Sequence, residues 1–188
     1  MEAIKIIEYL GVLVSIVFVI LEVKQSIWLW PASILAALCS IYVFMQSDTP
    51  LVFSTAMQVY FLVAAIVGWI VWHRKSTSKE GDGKVKFLTS KAKIYMAVLL
   101  VLCIVVPWCF KAELGSALTL DLIVNVLCAV ATILLMLKYA ENWWILMLVN
   151  AISVYHYANQ GLVPYSLLYL GFFGMSIYGY VEWRRSVV

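Results

Sequence analysis

Asn150 lies in an apolar run that begins at Trp143 and ends at Tyr157, and its side chain offers two hydrogen-bond donors and an acceptor. Trp143 stands one heptad before it and Tyr157 one heptad after it, so on a helix the three share a face. Gln58 occupies a comparable apolar run, seven residues before Ala65 and eleven before Trp69. Asn125 and Tyr169 add a further amide and phenol. The chemistry on offer is recognition rather than bond-making. Amides can hold a polar solute, and aromatic faces attract organic cations, so the set suits a flat, charged heterocycle. The alternative for Asn150, Gln58 and Asn125 is an interhelical hydrogen bond that only glues helices together. Ser15, Ser33, Ser40, Thr132 and Ser176 are expected to bond carbonyls of their own helices.

The acids sit elsewhere. Glu8, Glu22, Asp121, Glu141 and Glu182 all fall near the ends of apolar segments, and none falls at the centre of one. Glu8, Ser15 and Glu22 share one heptad-spaced face, which would place negative charge at the two mouths of a path. A carrier driven by protons needs a titratable group at mid-depth; His156 is the residue placed for it, and its other reading is a hydrogen-bonded structural histidine. Cys39, Cys103, Cys109 and Cys128 show neither CxxC spacing nor a nearby His, so no metal, cofactor or disulfide is expected. An enzyme would need a cluster of His, Asp or Glu that the sequence lacks.

These residues must be positioned by helices in lipid. Hydrophobic residues make up 65% of the chain and charged ones 12%, with mean hydropathy +0.99; a soluble domain carries about a quarter charged residues. Unpaired backbone groups are not tolerated in hydrocarbon, so the predicted fold is an all-α integral membrane protein. Seven segments approach the roughly 20 residues a span requires: 4–23, 27–45, 51–73, 92–111, 118–138, 142–158 and 163–183. The stretch from His73 to Lys93 holds seven of thirteen basic residues and Gly81-Asp-Gly83, and is expected to be a flexible cytoplasmic linker. With that linker inside, the N-terminus is outside and the C-terminus is in the cytoplasm. The net charge of +3 then has a membrane explanation, and no nucleic-acid partner is expected.

The chain also repeats itself. Lys24 and Trp30 match Lys138 and Trp144 at an offset of 114, as Gln46 matches Gln160, while Gly68 and Trp72 match Gly179 and Trp183 at 111. At 114, Glu8 and Glu22 meet Leu122 and Met136, which are apolar. Seven spans then divide as 3+1+3: a first three-helix repeat over 1–73, a linker and central helix over 74–117, and a second repeat over 118–188. An odd helix between triplets gives them the same orientation, as parallel repeats.

Leu21-Glu-Val-Lys24, Ser26-Ile-Trp-Leu-Trp-Pro31, Gln58-Val-Tyr60, Gly68-Trp-Ile-Val-Trp72 and Tyr178-Gly-Tyr-Val-Glu-Trp183 resemble the Pnu family of bacterial vitamin transporters, relatives of the SWEET sugar carriers. The resemblance covers nearly all of the chain except the linker and fourth helix. It implies inner-membrane uptake by facilitated diffusion, with a cytoplasmic kinase trapping the vitamin as a phosphate, and suggests a homo-trimer. It also implies a signature Glu-x-Trp-x-x-Trp-x-x-x-Asn for nicotinamide riboside members. Glu141, Trp143 and Asn150 match it, and Leu146 replaces the second Trp. That replacement and the short chain favour thiamine, with nicotinamide riboside close behind and riboflavin a third candidate. The expected substrate-binding set is Asn150, Gln58, Trp143, Tyr157, Tyr169, Asn125 and Glu8. A reading of a different class is a non-transporting scaffold or receptor.

Overall fold

A computed structural model of the chain describes residues 2–45, 52–77, 84–161 and 163–187, with several helical side chains, including that of Glu8, outside the description. Gln46 and the turn Ser47 to Pro50 also fall outside it. The described residues form α1 (Glu2–Val23), α2 (Leu29–Met45), α3 (Val52–Thr77), α4 (Ser90–Cys109), α5 (Lys111–Leu114), α6 (Ser116–Met136), α7 (Asn142–Asn159) and α8 (Val163–Arg185). The seven long helices fall on the seven predicted segments. The single turn α5 was not foreseen. Pro107 lies in the last turn of α4, where it cannot donate to the helix ladder, and Gly115 reverses the chain at φ 78° before α6 begins. By length and composition, Thr55–Arg74, Ser90–Cys109 and Leu118–Met136 are apolar enough to cross a membrane.

The chain divides into two compact units, 1–83 and 84–188. In the first, α1 packs on α2 and α2 on α3. In the second, α4 and α5 pack on α6, α6 on α7, and α7 on α8. The core of the second unit is Ile123, Leu127, Ala131 and Leu134 of α6 against Ile145 and Val149 of α7. The α6 residues recur every three or four positions, one stripe of a helix.

Each unit turns its first long repeat helix into the next in the same way. Gln25 and Lys138 both take left-handed backbone, at φ 52° and 60°. In the first unit Gln25 N–H donates to Glu22 C=O and Ser26 N–H to Leu21 C=O; in the second, Lys138 N–H donates to Leu135 C=O and Tyr139 N–H to Leu134 C=O. This is a Schellman ending, which caps the last free carbonyls. The bonds Leu29 N–H to Ser26 C=O and Trp30 N–H to Ile27 C=O recur as Asn142 to Tyr139 and Trp143 to Ala140. The offset here is therefore 113, not 114. Lys24 pairs with Leu137, and Trp30 with Trp143 rather than Trp144.

The packing agrees. Trp30 is 1% exposed and Trp143 0%, whereas Trp144 faces outward. Trp30 meets Trp72 edge-on at 5.5 Å and 88°; Trp143 meets Trp183 at 5.7 Å and 83°. Each buried indole also lies directly over a glycine. A Cβ added at Gly179 would stand 2.5 Å from Trp143 Cη2, and one at Gly68 would collide with the Trp30 ring. Neither buried indole N–H has a hydrogen-bond partner among the described residues, so packing alone holds these rings.

The expectation of a flexible linker fails from Lys84 onward. Lys86 N–H donates to Lys138 C=O at 2.9 Å and Ala140 N–H to Lys86 C=O at 3.0 Å, a parallel bridge onto the α6–α7 turn. Leu88 N–H donates to both carboxylate oxygens of Glu141 at 3.1 Å, and Lys93 on the first turn of α4 pairs with Glu141 at 3.2 Å. Glu141 is 5% exposed, and Val85, next to Lys86 in the chain, is also buried. The segment 84–89 is thus a strap that fastens the start of α4 to the α6–α7 turn. The boundary between the compact units falls inside the stretch 74–117 that the sequence assigns to a connector.

Candidate functional site

The polar residues of the second unit gather along the seam of α7 and α8. The two helices run antiparallel, and their facing residues step by heptads: Trp143 opposite Trp183, Asn150 opposite Ser176, Tyr157 opposite Tyr169. Asn150 Nδ2 donates to Ser176 Oγ at 3.0 Å, and Ser176 Oγ donates to Phe172 C=O at 2.8 Å. Asn150 and Ser176 are both buried. The Ser176 and Thr132 hydroxyls bond carbonyls of their own helices, as expected; Ser176 in addition receives the amide across the seam.

Below that pair is an aromatic stack. Tyr157 lies parallel to Tyr169 at 5.2 Å and 12°, and to Tyr165 at 5.6 Å and 28°. Phe172 meets Tyr169 edge-on at 5.9 Å. His156, buried, meets Tyr157 edge-on at 5.3 Å. Its Nε2 lies 3.4 Å from Asp121 Oδ1 on α6 and 2.7 Å from Gln160 Nε2. Ser166 Oγ donates to Val154 C=O at 3.1 Å and fixes the start of α8 on α7. On the far side of His156 is a pocket of about 270 Å³, walled by Trp108, Lys111, Ser116, Asn159 and Gln160 among others.

The expected site residues therefore fall into three groups. Asn150, Tyr157 and Tyr169 come together on the α7–α8 seam. Trp143 lies on the same seam, but its ring is fully enclosed over Gly179 against Trp183. Asn125 Nδ2 donates to Asp121 C=O of its own helix at 2.8 Å. Gln58 belongs to the first unit, on α3 and half-buried. Glu8 lies on α1, its side chain outside the description.

The corrected register changes what these positions mean. At 113, Glu8 matches Asp121 rather than Leu122, so both units place an acid there. At 111, Gln58 matches Tyr169. Asn150 and Ser176 match Ala37 and Ala65, which are buried in the first unit. The polar pair is a feature of the second unit alone. Sequence reasoning set Asp121 aside as an end-of-span acid and overlooked Gln160. Their signal was present in the helical spacing: Asp121 sits one turn before Asn125, and Gln160 one turn after His156. Among the described residues no three of His, Cys, Asp and Glu converge as metal ligands.

Among solved structures, the crystal structure of the vitamin B3 transporter PnuC matches with a TM-score of 0.72 at 23% identity, over 94% of this chain and 80% of that one. The helices described above thus share the all-helical fold of that structure. The nicotinamide mononucleotide transporter family matches residues 5–185, and the chain belongs to that family. The nicotinamide riboside transporter PnuC of Escherichia coli K12 is 30% identical over 159 residues, which cover 71% of this chain and 66% of that one; the chain spans just under two thirds of that relative's length. The riboflavin/roseoflavin transporter RibM of Streptomyces davaonensis is 27% identical over 184 residues, 94% of this chain and 83% of that one.

Proposed function

We propose that this chain carries nicotinamide riboside across the bacterial inner membrane by facilitated diffusion, with trapping by a cytoplasmic kinase. Thiamine, which Leu146 and the short chain put first, gives way to nicotinamide riboside: the relatives described above bear the names of nicotinamide riboside and riboflavin transporters. The observation that carries the reading is the meeting of an amide and a tyrosine stack on the α7–α8 seam. The parallel rings of Tyr157 and Tyr169 offer electron-rich faces of the kind a pyridinium ring seeks. Riboflavin is the second reading, supported by the breadth of the match to RibM.

In this proposal the seven long helices span the membrane as 3+1+3, and Asn150, Tyr157 and Tyr169 contribute to the substrate site of the second unit. The charge distribution supports the orientation. Lys86, Lys93 and Lys138 cluster at the strap, with Arg184 and Arg185 beside Trp183 at the same end of the seam, while Lys111 stands at the other end beside His156. The strap end is cytoplasmic by the positive-inside rule. Purified protein in liposomes should take up labelled nicotinamide riboside and leave thiamine outside. Uptake of riboflavin alone would select the second reading, and uptake of none of the three would leave the scaffold or receptor class standing.

A further inference from the structure

The pocket beyond His156 is not accounted for by recognition of a flat cation. Lys111 lines it, with its ammonium 4.2 Å from the centre of the Trp108 ring. No carboxylate lies within ion-pair distance of that ammonium among the described residues. The remaining polar walls are Ser116, Tyr155, His156, Asn159 and Gln160. Among the described residues no acid lines the pocket, so a pyridinium entering it would meet the like charge of Lys111. Its volume of about 270 Å³ is below the roughly 300–1,000 Å³ of pockets that enclose whole drug-sized ligands. It fits part of a ligand.

We propose that this pocket binds the polyhydroxylated five-carbon portion of the substrate: the ribosyl group of a pyridine riboside, or the ribityl chain of a flavin. The proposal rests on the vitamin-carrier reading and adds the end of the substrate that the tyrosines do not explain. Each hydroxyl of a polyol both donates and accepts. The Asn159 and Gln160 amides and the Ser116 hydroxyl can do the same, and the Lys111 ammonium adds three donors. Trp108 supplies a flat apolar wall for the C–H side of the sugar. His156 joins the two regions, since its ring lines the pocket and meets Tyr157 edge-on. Lys111 sets the direction: the sugar enters the pocket and a cationic ring is turned away from it, toward the tyrosines. Thiamine has no such polyol.

The test is equilibrium binding to full-length protein in detergent, with paired ligands that differ by the polyol. Nicotinamide riboside is compared with 1-methylnicotinamide, the same cation without the sugar; riboflavin is compared with lumiflavin, the same ring system with a methyl in place of ribityl. The double variant Asn159→Ala, Gln160→Ala should bind the polyol-bearing ligand roughly tenfold more weakly and its truncated partner unchanged. Whichever pair shows this identifies the source of the polyol. Equal weakening of both members, or of neither, overturns the assignment. The single variant Asn159→Ala, at an exposed helix end, serves if the double variant does not fold. A third probe separates this proposal from the carrier reading. Millimolar ribitol alone should perturb the Trp108 emission, taken as wild type minus Trp108→Phe. A ribitol response without vitamin uptake would leave the pocket standing and sink the carrier reading. Vitamin binding with neither a ribitol response nor a loss in the variants would do the reverse.

Discussion

Asn150 and Ser176 show how the two units differ while sharing a design. The first unit packs the same seam with Ala37 and Ala65, so the seam does not need the polar pair in order to close. Removing one partner of a buried hydrogen bond costs about 1–3 kcal/mol, whereas replacing both with apolar groups can be nearly neutral. Asn150→Ala alone should therefore lower the melting temperature, and Asn150→Ala with Ser176→Ala should restore most of the loss. If the pair also serves the substrate, the double variant should still bind nicotinamide riboside roughly ten- to a hundredfold more weakly. A double variant that melts and binds like wild type would reduce the pair to packing. The heptad face of Trp143, Asn150 and Tyr157 was legible in the sequence because helical periodicity is a local property. The enclosure of Trp143 and the partnership with Ser176 were not, since each depends on α8 lying across the seam.

At the scale of elements, the tucked tryptophans and the strap do the positioning. Gly179→Ala should destabilise the second unit by about 1–3 kcal/mol, because the Trp143 ring occupies the space of the added methyl; a thermal melt in detergent measures it. An unchanged melt would mean that the ring can move aside. The repeat of Gly and Trp was visible in the sequence, but adjacent Trp143 and Trp144 left its register ambiguous by one residue. Only the burial of one and exposure of the other resolves it. The strap was hidden for a different reason. Its residues are polar and basic, as in a free linker, and the acid that captures them lies 53 positions away. Glu141→Ala should release the amides of residues 86–88, raising their hydrogen exchange roughly tenfold to a hundredfold for a lost bond to a charged group. The Lys93 ion pair adds little to this, since Lys93 is half exposed. Exchange left as slow as in wild type would show that the bridge to Lys138 holds the strap unaided.

For the whole molecule, hydropathy and the family resemblance fixed the number and limits of the long helices within a few residues, because a run of apolar residues is a direct imprint of lipid. The relatives favour nicotinamide riboside over the thiamine that the sequence puts first, because one replaced aromatic in a signature says little about which solute fits. Orientation can be tested with a membrane-impermeant thiol reagent on intact cells. In a background without the native cysteines, Lys84→Cys should resist labelling from outside and Gly161→Cys should react. The opposite pattern would invert the protein. Coupling can be tested in liposomes held at zero voltage. With no acid at mid-depth on the sequence pattern, imposed proton and sodium gradients should leave the steady-state level of nicotinamide riboside unchanged. Uphill accumulation under a proton gradient, lost in His156→Ala, would make His156 a coupling residue and end the uniport reading.

The strap also imposes an order on synthesis. Leu88 leaves the ribosome 53 residues before Glu141. At about 5–20 residues per second this is an interval of roughly 3–10 seconds. During that time α4 is already made, but the acid that its strap binds does not yet exist. A nascent chain arrested before Glu141 should therefore be cut by protease between residues 84 and 93, and one arrested well beyond α7 should resist. In the newborn protein the bond from Leu88 to the strap's one acid can form only after that carboxylate arrives.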